Sequence, residues 1–253
     1  MLLEMKNVVK QFGGLTAVSN MSFSVEKGEI FGVIGPNGAG KTTIFNLITG
    51  VYQVTEGDIL FDGQSIEGKK PYQIINMGIS RTFQNIRLFK ELSVIDNIKV
   101  GLHESLRYDL ASSLLRLPNY WKEEKKCTER ALELLDIFHM ADLANVPAGS
   151  LPYGAQRRLE IMRALATSPK LLLLDEPVSG LDPKVTAEMY HLIETLNRQE
   201  GITILMISHD IRAAVCYASH ILHIGESVFF GTRGEYLQSP QGRLFAAGKG
   251  GAV

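Results

Sequence analysis

A glycine-rich stretch of the chain has the residue types and spacing of a phosphate-binding loop. It reads Gly35-Pro36-Asn37-Gly38-Ala39-Gly40-Lys41-Thr42 and fits the pattern GxxxxGK[ST] at every position. Glycines let backbone N–H groups converge on phosphate oxygens, and a helix start adds favourable partial charge. Lys41 is then expected to bridge the β- and γ-phosphates, and Thr42 to offer its hydroxyl to Mg²⁺. The stretch predicts a nucleoside triphosphate site; the alternative is a glycine-rich turn with a chance lysine.

Two adjacent carboxylates, Asp175 and Glu176, end the apolar run 171–174. In proteins with such a phosphate loop, an aspartate in this place holds Mg²⁺. Glu176 comes one residue later, points elsewhere and is suited to polarise an attacking water. Two carboxylates at a buried strand end are costly unless a cation or substrate uses them; the alternative is a solvated acidic turn. The pair favours ATP hydrolysis over GTP hydrolysis, because the sequence has no NKxD motif for guanine, and a small-molecule kinase stays open.

Strand-like and helix-like segments alternate along the chain and predict an α/β fold with a mostly parallel sheet. The run Ile30–Ile34 is typical of a strand before the phosphate loop, and a helix is expected from Lys41. The runs 57–61, 171–174 and 202–207 indicate further strands. The last two are continuously apolar, as central strands covered on both faces are.

The middle of the chain has helical spacing and no segment typical of a central strand. Its apolar positions form one predicted stripe of Cys127, Ala131, Leu134, Leu135 and Phe138. We therefore expect a single domain over 1–253, with a core formed by 1–87 and 155–253 and a helical subdomain inserted at 88–154.

Composition and charge exclude several classes of protein. Lys plus Arg total 26 against 27 for Asp plus Glu, and 45% of the residues are hydrophobic. This balance argues against a disordered chain and against nucleic acid as a partner. Cys127 and Cys216 have no metal-binding spacing and are expected to be reduced thiols in the cytosol. No apolar run approaches the ~18 residues of a membrane span, and no signal-peptide core is present.

Four further motifs follow in order along the chain. They are Ile79-Ser80-Arg81-Thr82-Phe83-Gln84, Leu151-Pro152-Tyr153-Gly154-Ala155-Gln156-Arg157-Arg158, Ser179-Gly180-Leu181-Asp182 and Ser208-His209-Asp210. With the phosphate loop and the acidic pair, this ordered set resembles the ATP-binding cassette (ABC) ATPases over essentially the whole chain. The resemblance implies a RecA-like core with a mostly parallel sheet, an N-terminal antiparallel β part and the inserted helical subdomain. It also implies that two such subunits pair head to tail, with each ATP between one phosphate loop and the partner's signature loop, here 151–155.

The resemblance assigns a role to each motif. Gln84 contacts Mg²⁺ and water and senses a transmembrane partner, and Asp175 holds Mg²⁺. Glu176 is the general base, His209 contacts the γ-phosphate, and Asp182 lies in a loop that communicates between the two sites. The alternatives are a surface amide for Gln84 and a satisfied strand-end residue for His209.

The same resemblance gives the full set of site residues. Catalysis is implied for Glu176, His209, Gln84 and Lys41; nucleotide binding for Phe12, Gly35, Asn37, Gly38, Ala39, Gly40, Lys41, Thr42, Thr43 and Gly154; and Mg²⁺ ligation for Thr42, Gln84 and Asp175. Phe12 matches the aromatic position that stacks on adenine in the family, and the alternative is a core phenylalanine.

The signature loop departs from the common form LSGGQ, because this chain has LPYGA there. Pro152 stands at the serine position, so the hydroxyl that meets the partner's γ-phosphate in the family is absent. Gly154 keeps its backbone N–H. Loss of one neutral hydrogen bond costs on the order of 1 kcal/mol, and we expect a severalfold weaker closed dimer.

Two branches of the family are represented in the sequence. Up to Leu174 the chain resembles ATPases of branched-chain amino acid importers, as in QFGGLTAVSNMSF and GISRTFQNIRLF. After Glu176, PVSGLDPKVTAEMY and FFGT resemble zinc- or manganese-importer ATPases, as in a natural mosaic or a join of two related ATPases. The amino acid interpretation leads, because the regions that meet the permease in this family lie in the first part. The alternatives are a metal importer and a non-transport cassette protein.

The resemblance also implies partners and location. The partners are a second ATPase subunit in a homo- or heterodimer, transmembrane permease subunits and, indirectly, an extracytoplasmic solute-binding protein. The protein is then expected in the cytoplasm, peripheral on the inner face of the cell membrane, with ATP and Mg²⁺ as cofactors.

Overall fold

The computed structural model describes residues 1–102 and 118–246. The chain divides into two compact units. The first unit comprises Met1–Ile79, Lys170–Pro177 and the chain from Ile193, and the second comprises Ser80–Pro169 and Val178–Leu192. The predicted helical insert 88–154 lies within the second unit, which extends further at both ends. The bounds given for the core and for the insert stay predictions.

The described part of the chain contains ten strands. Their bounds are β1 (Leu3–Phe12), β2 (Leu15–Val25), β3 (Ile30–Ile34), β4 (Glu56–Phe61), β5 (Gln64–Ser65), β6 (Ile79–Arg81), β7 (Leu171–Asp175), β8 (Thr203–Ile207), β9 (His220–His223) and β10 (Phe229–Thr232). The first, second, fourth and fifth strands form an antiparallel sheet in the order β2-β1-β4-β5. This confirms the antiparallel β part expected at the N-terminus.

A second sheet has six strands in the order β10-β9-β3-β8-β7-β6. The pairs β9–β3, β3–β8 and β8–β7 are parallel, and only the pair β9–β10 among those with a recorded register in this sheet is antiparallel. Every residue of β3, β7 and β8 is buried. The continuous apolar runs thus form the covered central strands that were predicted.

Nine helices connect or flank these strands in the described part of the chain. They are α1 (Lys41–Ile48), α2 (Pro71–Met77), α3 (Val94–Leu102), α4 (Pro118–Ile137), α5 (Tyr153–Leu165), α6 (Pro183–Glu200), α7 (Ile211–Tyr217), α8 (Arg233–Gln238) and α9 (Pro240–Ala246). None of these nine helices combines the length and the apolar character that crossing a bilayer requires.

The second unit is mainly helical, and α3 packs against both α4 and α5. All five residues of the predicted apolar stripe are buried, and four of them lie on α4 while Phe138 follows its last residue. The helical spacing of the sequence was therefore a correct guide to the buried face of this helix.

Leu173 in the middle of β7 tests how much the central strands contribute to stability. It is fully buried and pairs with Leu205 of β8. We expect Leu173→Ala to lower the free energy of unfolding by about 2–5 kcal/mol, because it removes buried methyl groups and leaves a cavity. The measurement is the urea midpoint. Leu132→Ala, at a side chain on α4 that is 40% exposed, is the matched control and is expected to change stability by less than about 0.5 kcal/mol. Equal shifts in the two midpoints would contradict the assignment of β7 to the core.

Candidate functional site

Three neighbouring parallel strands of the first unit end at the same edge of the sheet. Ile207 at the end of β8 is in register with Val33 of β3 and with Asp175 of β7. The ladder continues past the strands, because Ser208 N donates to Val33 O at 3.2 Å and Glu176 N to Ile207 O at 3.1 Å. The phosphate loop, the acidic pair and the Ser208-His209 turn therefore leave the sheet side by side.

The path of the phosphate loop is fixed at both ends by close backbone contacts. Gly35 has φ of +146°, and a Cβ atom there would lie 2.0 Å from the carbonyl oxygen of Ile224. Gly40 has φ of +91°, and its Cβ would lie 2.5 Å from the carbonyl oxygen of Ala17. No other residue fits at these two positions without moving the neighbouring backbone. The glycines of the motif thus let the loop lie against β2 and against the residue that follows β9.

Lys41, the first residue of α1, is buried inside this loop. Its side chain is 5% exposed, and its Nζ donates to the carbonyl oxygens of Gly35 at 2.7 Å and Pro36 at 2.8 Å. Burial lowers the pKa of Lys41 from its ordinary value, and the charges of Glu176 and Asp175 oppose that shift. The ammonium is thus held in a curved loop at a helix start, a donor set that fits phosphate oxygens.

The other predicted residues of the loop are open to a ligand. Asn37, Gly38 and Thr42 are exposed, and Ala39 and Thr43 are half-buried. The loop therefore surrounds a buried ammonium with accessible backbone and one accessible hydroxyl.

The acidic pair is buried beside the histidine of the neighbouring strand. Asp175 and Glu176 are 2% and 8% exposed. Glu176 Oε1 contacts His209 Nε2, and the side chain of His209 is 42% exposed. Glu176 also has φ of +52°, a left-handed conformation that costs a non-glycine residue on the order of 1–3 kcal/mol. A strained turn thus turns this carboxylate away from the strand and toward the histidine.

Phe12 lies at the end of β1 and is 40% exposed, so the structure does not bury it in the core. Its ring meets the ring of Tyr52 edge-on, with centroids 5.0 Å apart. Lys10 Nζ lies 4.9 Å from the Phe12 centroid and 5.9 Å from the Tyr52 centroid. No sequence motif points to Tyr52, because it lies in the turn after α1.

The second unit holds the two other predicted groups, Gln84 and Gly154. Gln84 follows β6 and is exposed, and Gly154 is the second residue of α5. Gly154, Tyr153 and Asp182 line an open cleft of about 370 Å³. Asp182 Oδ1 accepts from the backbone N–H groups of two residues that follow it, at 3.0 and 3.1 Å, so that this carboxylate caps the start of α6.

Pro152 is the N-cap residue of α5, and its side chain makes no capping hydrogen bond. Its carbonyl oxygen accepts from the N–H groups of Ala155 at 2.9 Å and Gln156 at 3.0 Å. The helix therefore begins where the sequence predicts in spite of the lost serine. Tyr153 and Gly154 come before the first of these N–H donors, where a helix supplies no acceptor of its own, and both residues line the cleft.

A family match, a curated relative and two solved structures are similar to this chain over most of its length. Residues 18–179 match the ABC transporter family. The high-affinity branched-chain amino acid transport ATP-binding protein BraF of Pseudomonas aeruginosa is 41% identical over 225 residues, which cover 89% of this chain and 88% of that protein. A solved nucleotide-free ATP-binding cassette from an ABC transporter is 32% identical, with a TM-score of 0.79, and the match covers 95% of this chain and 96% of that one. A solved cassette in a dimeric post-hydrolysis state, bound to ADP and phosphate, is 26% identical, with a TM-score of 0.75 and coverage of 90% and 98%.

The family match spans most of the chain, and the phosphate loop and the acidic strand end both lie within it. A relative at 41% identity and two cassettes of the same fold agree with it. The chain therefore belongs to the ABC transporter family, as one of its ATP-binding cassette ATPases.

Proposed function

We propose that this chain is the ATP-hydrolysing subunit of an importer for branched-chain amino acids. The observation that carries the proposal is the 41% identity to BraF over 89% of the chain. The solute is bound by partner subunits in this proposal, and the chain itself supplies the hydrolysis that drives uptake.

The geometry of the first unit supports a different role for each of three side chains. Lys41 and the loop backbone bind and orient the phosphates of ATP. Glu176 accepts a proton from the attacking water, whose oxygen forms a bond to the γ-phosphorus as the bond to the bridging oxygen of ADP breaks. His209, which contacts Glu176, orients this carboxylate and the γ-phosphate.

The donor set also fits Mg²⁺. Asp175 offers a buried carboxylate at the end of β7, and Thr42 offers an exposed hydroxyl in the first turn of α1. Oxygen ligands of these types suit this hard cation. When bound, Mg²⁺ neutralises charge on the β- and γ-phosphates. A further ligand role for Gln84 stays a prediction.

We propose that two ATPase subunits act together, as a homodimer or a heterodimer. The dimeric cassette with ADP and phosphate supports a paired state for this fold. The cleft beside Gly154 is then the surface that meets the partner's nucleotide. Because Pro152 has no hydroxyl, this contact is weaker by one hydrogen bond. Permease subunits hold the pair at the inner face of the membrane, and an extracytoplasmic solute-binding protein delivers the solute to them.

The metal-importer alternative rests on the sequence after Glu176 alone. The match to BraF covers 225 residues of this chain. Because only 174 residues precede Asp175, this match continues well into the C-terminal third. The likeness to an amino acid importer ATPase is therefore not confined to the first part of the chain, which supports the proposed solute class.

Replacement of Lys41 tests the phosphate loop. We expect Lys41→Ala to weaken ATP binding by about tenfold to a hundredfold, the value of one or two charge-assisted hydrogen bonds. The measurement is titration with a fluorescent ATP analogue. Lys170→Ala is the control, because Lys170 pairs with Asp62 at the opposite end of β7 and is half exposed. Equal affinities for ATP in the Lys41→Ala variant and the wild type would contradict the loop's role.

Replacement of Glu176 separates binding from chemistry. Glu176→Gln keeps the size of the side chain and removes its basicity, so we expect turnover to fall by about a hundredfold to ten-thousandfold. ATP affinity is expected to stay within about threefold of the wild type. Steady-state phosphate release and equilibrium binding give the two values. Glu194→Gln is the control, because Glu194 pairs with Arg198 on α6. If the Glu176→Gln variant hydrolysed ATP at the same rate as this control, Glu176 would be excluded as the general base.

The partners of the chain test the proposed solute class. Co-purification of the tagged chain from detergent-solubilised membranes, followed by mass spectrometry, is expected to recover two hydrophobic permease subunits. Proteoliposomes of that complex are expected to take up labelled leucine and not zinc when ATP is supplied. Recovery of a zinc-transporting permease, or of ribosomal proteins alone, would contradict the proposal.

A further inference from the structure

Helix α5 of the second unit carries a buried ion pair that has no part in the proposed nucleotide binding or hydrolysis. Arg157 Nη1 lies 3.1 Å from Glu160 Oε2, and both side chains are 2% exposed. A pair of the same composition and spacing, Arg130–Glu133, lies on α4 with side-chain exposures of 39% and 61%. The sequence pattern of the two pairs is thus the same, and only their surroundings differ.

The buried pair binds the backbone of the segment 83–87, which contains Gln84. Arg157 donates from Nη1 to the carbonyl oxygen of Phe83 at 2.7 Å and from Nη2 to the carbonyl oxygen of Gln84. Glu160 Oε1 accepts from the N–H groups of Phe83 and Arg87, each at 3.4 Å. Both kinds of backbone polar group in this segment are therefore held by one face of one helix.

Stability alone does not explain charges at these positions. Arg157 and Ile161 lie on the same buried face of α5, where apolar residues pack as well as or better than a buried ion pair. Burial raises the pKa of Glu160 from its ordinary value, and the charge of Arg157 opposes that shift. The carboxylate thus loses solvation that its partners recover only in part. The segment 83–87 has no secondary structure to satisfy its backbone polar groups. An apolar pair could not form hydrogen bonds with its two carbonyl groups and two N–H groups, as Arg157 and Glu160 do.

A second anchor holds the chain just after this segment. Asn97 on α3 is fully buried, accepts from Phe89 N at 3.0 Å and donates to Phe89 O at 3.0 Å. The stretch from Phe83 to Phe89 is thus attached to the helices of its own unit at both ends, while Gln84 is exposed.

The helix that holds this segment also begins at the signature loop. Arg157 lies one turn after Tyr153, the first residue of α5, and Gly154 is the next residue. A single helical turn does not stretch, because its hydrogen bonds fix the rise per residue. The backbone of Gln84 is thus bound to a residue one helical turn from those that line the cleft.

We propose that Arg157 and Glu160 are positioning residues that fix the Gln84 segment to the first turn of α5, so that the two move as one body. This inference rests on the proposed function, in which Gln84 responds to the permease and Gly154 meets the partner's nucleotide. The ion pair then transmits movement of the permease to the ATP sandwiched by the partner subunit.

The test compares Arg157→Lys with Arg130→Lys in the full chain bound to its permease. Lysine keeps the charge beside the glutamate but has no planar fork for two carbonyl groups and a carboxylate together. For Arg157→Lys we expect amide hydrogen exchange in 83–87 to speed up by about tenfold or more. Turnover at saturating ATP is expected to fall by about fivefold, with the KM for ATP within about twofold. Arg130→Lys is expected to match the wild type in all three measurements.

Unchanged exchange in 83–87, or turnover equal to that of Arg130→Lys, would overturn the proposal. A rise in exchange across all of α3, α4 and α5 would do so as well, because it would show a general loss of stability. If Arg157→Lys does not fold, Glu160→Gln takes its place, since the amide keeps an acceptor oxygen but loses the charge. A wild-type complex that takes up no leucine would refute the proposed function alone, because the exchange comparison does not depend on transport.

Discussion

The hydrogen-bonded register of three buried parallel strands is the constraint on which the site depends. Ile207 pairs with Val33 on one side and Asp175 on the other, so the chain leaves all three strands at one level. Each strand is too apolar to be stable at the surface, and the sheet buries every residue of the three. The hydrophobic effect that stabilises the core thereby also brings together a lysine, two carboxylates and a histidine from distant parts of the sequence.

Buried charged side chains lie in the phosphate loop and beside the segment that contains Gln84. Lys41 is held in the phosphate loop by two carbonyl oxygens, an arrangement in which a phosphate group competes for the same ammonium. Arg157 and Glu160 are held by a backbone segment that contains Gln84. In each case the cost of removing a charge from water is offset by hydrogen bonds to backbone groups.

Much of this was predictable because the motifs are local and the strands are continuously apolar. The phosphate loop, the helix from Lys41, the strands at β3, β7 and β8 and the buried stripe of α4 all follow from short-range patterns. The contacts of Arg157 were not predicted, since they join residues 73 and 74 positions apart, although an Arg–Glu pair at i, i+3 on the apolar face of a helix was a signal. The left-handed conformation of Glu176 and the Phe12–Tyr52 contact depend on packing between elements, which no periodicity reports.

The most direct test of the account is a crystal structure of the Glu176→Gln variant with Mg²⁺ and ATP. The measured quantity is the distance from Lys41 Nζ to the phosphate oxygens and to the carbonyl oxygens of Gly35 and Pro36. We expect the ammonium to leave these two carbonyl groups and to contact the β- and γ-phosphates, with the γ-phosphorus facing residue 176 after the end of β7. An ATP molecule bound elsewhere, or a lysine that still donates to both carbonyl groups beside bound ATP, would contradict it.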